Sequence, residues 1–232
     1  AAGTVTPGSP PPAESIEALE ALADYFGREI ERRRRNPGAD LVSALVAAHD
    51  DSDALSAGEL LSFVSLLLIA GNETTTNLIG NGTLALMRNP AQLEMLRREP
   101  AILPRAIEEM LRYDGPVQST ARFPQSAVEL GGVEIPAGSI VVIVLAAANR
   151  DPAQFPDPER FEITRDPNEH LAFGEGIHFC IGAPLARMEA AIAFGAMLER
   201  FPRMRLCEPG AKPNYKGSYF LRGLDSLKLA LE

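Results

Sequence analysis

The chain has no tryptophan, and only two cysteines and three histidines among its 232 residues. Two cysteines, Cys180 and Cys207, cannot build a disulfide framework, which excludes a small stapled scaffold of the secreted type. Histidine is as sparse. His170, His178 and Cys180 make three candidate zinc ligands, but no paired Cys or His cluster elsewhere completes a structural zinc site. No apolar run is long enough to span a bilayer, and no signal peptide stands ahead of the first helical pattern, so a soluble, cytoplasmic protein with no membrane partner is expected. The net charge of −9 argues against nucleic acid as the main partner. No G-x-G-x-x-G fingerprint occurs, so electrons for any redox chemistry are expected from a separate protein.

What is present reads as one globular fold, 46% hydrophobic and 23% charged, and long enough for one sizeable core or two small ones. Residues 1–13, A-A-G-T-V-T-P-G-S-P-P-P-A, lack periodicity and read as a disordered Pro/Gly-rich tail. From Glu14 to about Arg35, Ile16, Leu19, Leu22, Phe26 and Ile30 recur at helical spacing. The run Arg32–Arg35 ahead of Asn36-Pro37-Gly38 suits a solvated helix C-terminus. A short helix over Asp40–His49 follows. Ser56 and Glu59 form a capping box that opens a helix to about Met87, about 45 Å long. Asn89-Pro90 stops it, and helical patterns resume over Ala91–Arg98 and Leu103–Tyr113.

The pattern then changes. Ala127–Leu130 and Val133–Ile135 flank Gly131-Gly132, a two-residue hairpin signal, and Ile140–Leu145 is rich in β-branched residues. From Asn149 to Gly176 the chain is irregular and rich in Pro and Asp, far longer than an ordinary connection. Cys207, in R-M-R-L-C-E-P, reads as a small apolar filler in a strand-like stretch. The class is mainly α with a small β-sheet part (α+β), and residues 14–232 read as one unit.

Chemistry concentrates in four places. Phe173–Gly182, F-G-E-G-I-H-F-C-I-G, sets Cys180 at the exit of a glycine loop, just ahead of a helical pattern over Ala183–Arg200 with Pro184 in its first turn. The positive end of a helix favours a thiolate over a thiol, and glycines let backbone approach a flat ligand. Taken alone, such a cysteine is as readily a buried free thiol. Ala70–Thr75, A-G-N-E-T-T, places Gly71 and back-bonding threonines in mid-helix, a recognised cause of distortion. The apolar run before it, Leu66–Ala70, points to burial, and a carboxylate there, Glu73, must be bonded. On residue type alone, 73–77 is simply the polar face of a helix. Glu109 and Arg112 share one helix face at i and i+3, a pair worth a few tenths of a kcal/mol if exposed. Arg122, in S-T-A-R-F, enters the first strand.

The order and spacing of these motifs, above all F-x-x-G-x-x-x-C-x-G, resemble the cytochrome P450 family over roughly residues 41–231. The resemblance implies a partial cytochrome P450 fold, the C-terminal half of a bacterial soluble member. It implies haem b with Cys180 as axial thiolate and metal ligand, and His178 and Arg122 on the haem propionates. Thr74 and Glu73 would handle oxygen and deliver protons. Glu109 and Arg112, joined by Arg160 of P-E-R-F, would form a structural cluster behind the cysteine loop. The activity implied is insertion of one atom of O2 into an apolar small molecule by a monooxygenase drawing electrons from a ferredoxin or flavodoxin. Leu67, Ala70, Val117–Thr120 and Phe220–Leu221 would face that molecule. Where the family carries a W-x-x-x-R helix, this chain has no tryptophan, so weak haem retention by this chain alone is expected. The alternative is a truncated, non-catalytic fragment without a competent haem pocket. A peroxide-driven haem-thiolate protein is a third reading.

Overall fold

A computed structural model describes residues 12–52 and 55–231. The tail expected over residues 1–13 falls outside them up to residue 11, and Ala13 already opens the first helix. The chain divides into two compact units, residues 1–73 and 74–232. No helix among the described residues is long and apolar enough to cross a membrane.

The first unit contains α1 (Ala13–Arg35), α2 (Leu41–Ser52) and the leading part of α3 (Ala57–Arg88). Phe26 and Ile30, one turn apart on α1, bury against Val46 of α2 and Leu60 and Val64 of α3. Asp40 stays outside α2 as its cap, accepting the Ser43 N–H at 3.0 Å. The arginine run at the end of α1 is less solvated than expected. Arg33 pairs with Glu29 at 2.9 Å and with Asp40 at 3.2 Å, and Arg34 with Asp50 at 3.1 Å. The capping box closes in both directions. Ser56 Oγ accepts the Glu59 N–H at 3.2 Å, and the Ser56 N–H donates to Glu59 Oε2 at 2.7 Å.

The helix α3 stays α-helical from Ala57 to Arg88, so Gly71 and the threonines after it do not break it. Leu66, Leu68 and Ile69 are about half exposed, at 56%, 49% and 52%. The apolar sequence of this stretch calls for burial, and its exposure in this chain alone is the outcome expected where the chain does not itself supply the cover.

In the second unit, α3 continues into α4 (Pro90–Arg98), a 3-10 turn (Pro100–Ile102) and α5 (Leu103–Asp114). Three two-stranded antiparallel sheets follow: β1 (Thr120–Arg122) with β4 (Val141–Ile143), β2 (Val128–Leu130) with β3 (Val133–Ile135), and β5 (Arg205–Leu206) with β6 (Leu229–Ala230). The β2–β3 hairpin turns through Gly131 and Gly132, both at positive φ, as a tight two-residue turn requires. The strand expected over Ile140–Leu145 is shorter, because Leu145 begins α6 (Leu145–Ala148). Cys207 is exposed rather than a buried filler.

The main core joins Leu78, Ala85 and Leu86 of α3, Leu93 and Leu96 of α4, and Ala106, Ile107, Met110 and Leu111 of α5. Ala190 and Phe194 of α7 (Ala183–Arg200) complete it together with Phe161 and Ile163. Gly82 lets α5 and α7 approach α3 closely. A Cβ there would lie 2.7 Å from Met110 Sδ and 2.8 Å from Phe194 Cζ.

Between α6 and a 3-10 turn at Gly176–His178 the chain has neither helix nor strand. Glu109 and Arg112 are fully buried, and the irregular segment wraps them. Arg112 Nε and Nη2 donate to the two Glu109 oxygens at 2.7 and 2.9 Å. Its remaining donors go to the carbonyls of Asn149, Pro158 and Arg160. The second guanidinium at Glu109 belongs to Arg165, 3.3 Å away and nearly buried, not to Arg160 as the sequence suggested. The Arg160 side chain is 61% exposed and reaches only Glu162, at 4.0 Å. Arg165 then donates to the carbonyls of Pro156, Asp157 and Arg160, which gives this segment the hydrogen bonds that a sheet would have supplied.

Removing one partner of a buried ion pair leaves charge uncompensated. Arg165→Ala is expected to lower unfolding stability by about 2 kcal/mol or more, with Glu109 still holding Arg112. Arg160→Ala, which keeps the carbonyl that both guanidiniums use, should cost about 0.5 kcal/mol or less. Urea denaturation of the two variants separates them, and equal losses would contradict the assignment.

Candidate functional site

The loop Phe173–Gly182 is closed at its base by one backbone bond, from the Cys180 N–H to the Phe173 carbonyl at 2.9 Å. Gly174 and Gly176 lie at φ of 74° and 66°, a region that L side chains rarely adopt. A Cβ on Gly176 would meet nothing within 4 Å, so the backbone stands open there. The Cys180 carbonyl accepts the Ala183 N–H at 3.2 Å as the loop runs into α7. Cys180 is therefore held at the start of an 18-residue helix with its side chain exposed. Its loop neighbours Ile177, Phe179 and Ile181 are also exposed, at 98%, 51% and 78%. His178 stands in the 3-10 turn two residues before the sulfur and is exposed.

The other expected residues lie elsewhere in the chain. Glu73 and Thr74 are adjacent and half-buried on α3. Arg122, at the end of β1, is half-buried, and its Nη1 donates to the Thr120 hydroxyl at 3.0 Å and the Ala121 carbonyl at 2.8 Å. Glu109 and Arg112 sit together in the buried cluster, whereas the Arg160 side chain is not part of it.

A second polar cluster, missed from sequence, braces the base of the loop. Glu108 of α5 accepts two hydrogen bonds from Arg187 of α7, at 2.7 and 2.8 Å. His170 Nε2 lies 3.0 Å from the same carboxylate. His170 Nδ1 accepts the Ala172 N–H at 3.2 Å, which leaves Nε2 as the nitrogen that donates to Glu108. The Arg187 guanidinium lies 4.6 Å over the Phe173 ring. Glu108 and Arg187 are 79 residues apart, and no local spacing rule links them. The nearest sequence signal is Glu108 standing beside Glu109, with its direction unspecified.

Burial pushes the Glu108 carboxyl up, but the hydrogen bonds from Arg187 and His170 and the Arg187 charge outweigh it and hold it at about 2. A carboxyl depressed in the fold contributes stability that is complete above its unfolded value and lost as pH falls through its folded value.

A family model for Cytochrome P450 matches residues 13–222. The chain belongs to the cytochrome P450 family. Membership implies a haem cofactor. Among curated relatives, 6-deoxyerythronolide B hydroxylase of Saccharopolyspora erythraea is 50% identical over 93% of this chain and 54% of its own length. Two solved cytochrome P450 structures superpose with similar coverage. The tirandamycin C-bound P450 monooxygenase TamI has a TM-score of 0.88 at 47% identity, covering 93% of this chain and 54% of that one. A myxobacterial cytochrome P450, CYP267B1, in complex with myristic acid has a TM-score of 0.90 at 42% identity, covering 97% and 57%. The chain thus spans about half the length of the relatives it matches.

The Glu108 brace has a measurable pH signature. Its share of stability should be full above about pH 5 and vanish as pH falls towards about 2. Glu108→Gln is expected to destabilise the chain at neutral pH by about 1–2 kcal/mol, allowing for solvent screening of a half-exposed group. The difference from wild type should shrink below about pH 4. Urea titrations at several pH values check this, and a constant difference across that range would contradict it.

Proposed function

We propose that this chain is the C-terminal portion of a haem-thiolate monooxygenase that acts on an apolar small molecule. The carrying observation is the exposed Cys180 at the mouth of an open glycine loop, its backbone fixed by the Phe173 carbonyl and by the first turn of α7. The donor set suits haem b. One sulfur stands among apolar side chains that could cover a flat disc, and His178 and Arg122 offer polar ends for its propionates. The chemistry that haem supplies when bound is reductive activation of O2 and insertion of one oxygen atom into the substrate.

The chain's own residues hold and feed that chemistry. Cys180 would hold the haem iron through its thiolate. Thr74 and Glu73, side by side on α3, supply a hydroxyl and a carboxylate from which a proton relay can be built. The cluster of Glu109, Arg112 and Arg165 keeps the segment behind the loop in place. Electrons come from a ferredoxin or flavodoxin. The named ligands of the solved relatives, a tirandamycin and a fatty acid, differ widely at similar likeness to this chain. That supports a shared chemical floor in this half, with substrate choice carried mainly outside it.

Adding hemin to the purified chain and recording the visible spectrum of the reduced, CO-treated sample tests the reading. A thiolate-type spectrum is expected for the wild type and for Cys207→Ala, and it should disappear in Cys180→Ala. Retention is expected to be weak, since the loop offers apolar side chains to one face of a large disc and this chain spans only about half the length of its relatives. The proposal fails if Cys180→Ala keeps the thiolate spectrum or if Cys207→Ala alone removes it.

A further inference from the structure

One ion pair stands behind the cysteine loop without a part in the chemistry above. Arg187 lies seven residues after Cys180, in the second turn of α7. The Nε and Nη2 of its guanidinium donate to the two oxygens of Glu108, a geometry that fixes direction as well as distance. The same guanidinium lies 4.6 Å over the ring of Phe173, the residue whose carbonyl closes the loop on the Cys180 N–H. Phe173 also meets Phe179, with ring centroids 6.3 Å apart. A carboxylate on α5 thereby holds a cation on α7 against the base of the loop that presents the sulfur. The hydrogen bonds to Glu108 raise Arg187 above its ordinary value. Burial opposes the rise, and the Glu108 charge and then Cys180 add to it.

We propose that Arg187 and Glu108 are a positioning pair for Cys180. Arg187 sets a positive potential at the sulfur, while Glu108 orients the guanidinium and cancels part of its charge. The meaning of that potential for an iron ligand rests on the haem-thiolate reading; its measurement at the sulfur needs no haem. A pair that served only to tie α5 to α7 would loosen the loop when either member was lost. A charge-setting pair responds with opposite signs, because the two variants change the local charge in opposite directions.

The test uses the haem-free chain with Cys207→Ser, so that Cys180 is the reporting thiol. Its alkylation rates with neutral iodoacetamide and anionic iodoacetate are measured at one pH and low salt. Both reagents attack the same thiolate, so its population cancels in the ratio of rates and the local potential remains. Glu108→Gln should raise the iodoacetate-to-iodoacetamide ratio about threefold, and Arg187→Ala should lower it by a similar factor, the scale of one partly screened unit charge. Arg187→Lys, which keeps the charge, should stay near the parent ratio, and high salt should compress all the differences. Unchanged ratios, or ratios that move the same way in Glu108→Gln and Arg187→Ala, would overturn the proposal. Since no haem enters the measurement, a chain that fails to take up hemin counts against the haem reading alone.

Discussion

A carboxylate with no access to water governs this structure. An unpaired Glu109 in the core would be too costly to keep ionised, and two guanidiniums meet it there, from Arg112 one turn along the same helix and from Arg165 in the irregular segment. Once anchored on Glu109, those guanidiniums have donors left over, which reach the backbone of residues 149–160. A segment without helix or strand thus acquires a defined path. That path delivers His170 to Glu108 and Phe173 to the base of the cysteine loop. The exposed sulfur inherits its place from a buried charge that never touches it.

The sequence is most legible where local rules act. The periodic helices appear within a residue or three of their expected limits, the Ser56–Glu59 capping box closes in both directions, and Gly131-Gly132 turns a hairpin. Each is decided within a few residues of chain. The cluster around Glu109 was legible as a pair and misread in its third member. Arg160 and Arg165 lie five residues apart in a stretch without periodicity, where residue type is visible and side-chain direction is not. The Glu108–Arg187 contact left no trace at all, since only the packing of α5 against α7 brings the two together. Leu66–Ile69 shows the converse limit. An apolar run records that something should cover it, and within this chain nothing does so fully.

Family membership and this geometry bear on different questions. The likeness to relatives covers nearly all of this chain but only about half of theirs. The part held in common contains the loop, its brace and the buried cluster, features that present a reactive atom.

The arginine grip on residues 149–160 acts on carbonyl oxygens. Every amino acid has one, proline included, and two of the gripped carbonyls belong to Pro156 and Pro158. The grip itself is therefore indifferent to the side chains of the gripped residues, although Phe155 is buried and the Asn149 side-chain oxygen accepts the Leu171 N–H at 2.7 Å. Over evolutionary time its outward-facing residues can drift without disturbing the cysteine loop, provided that Glu109, Arg112 and Arg165 stay. A stretch without regular secondary structure can in this way keep its shape while its exposed side chains change.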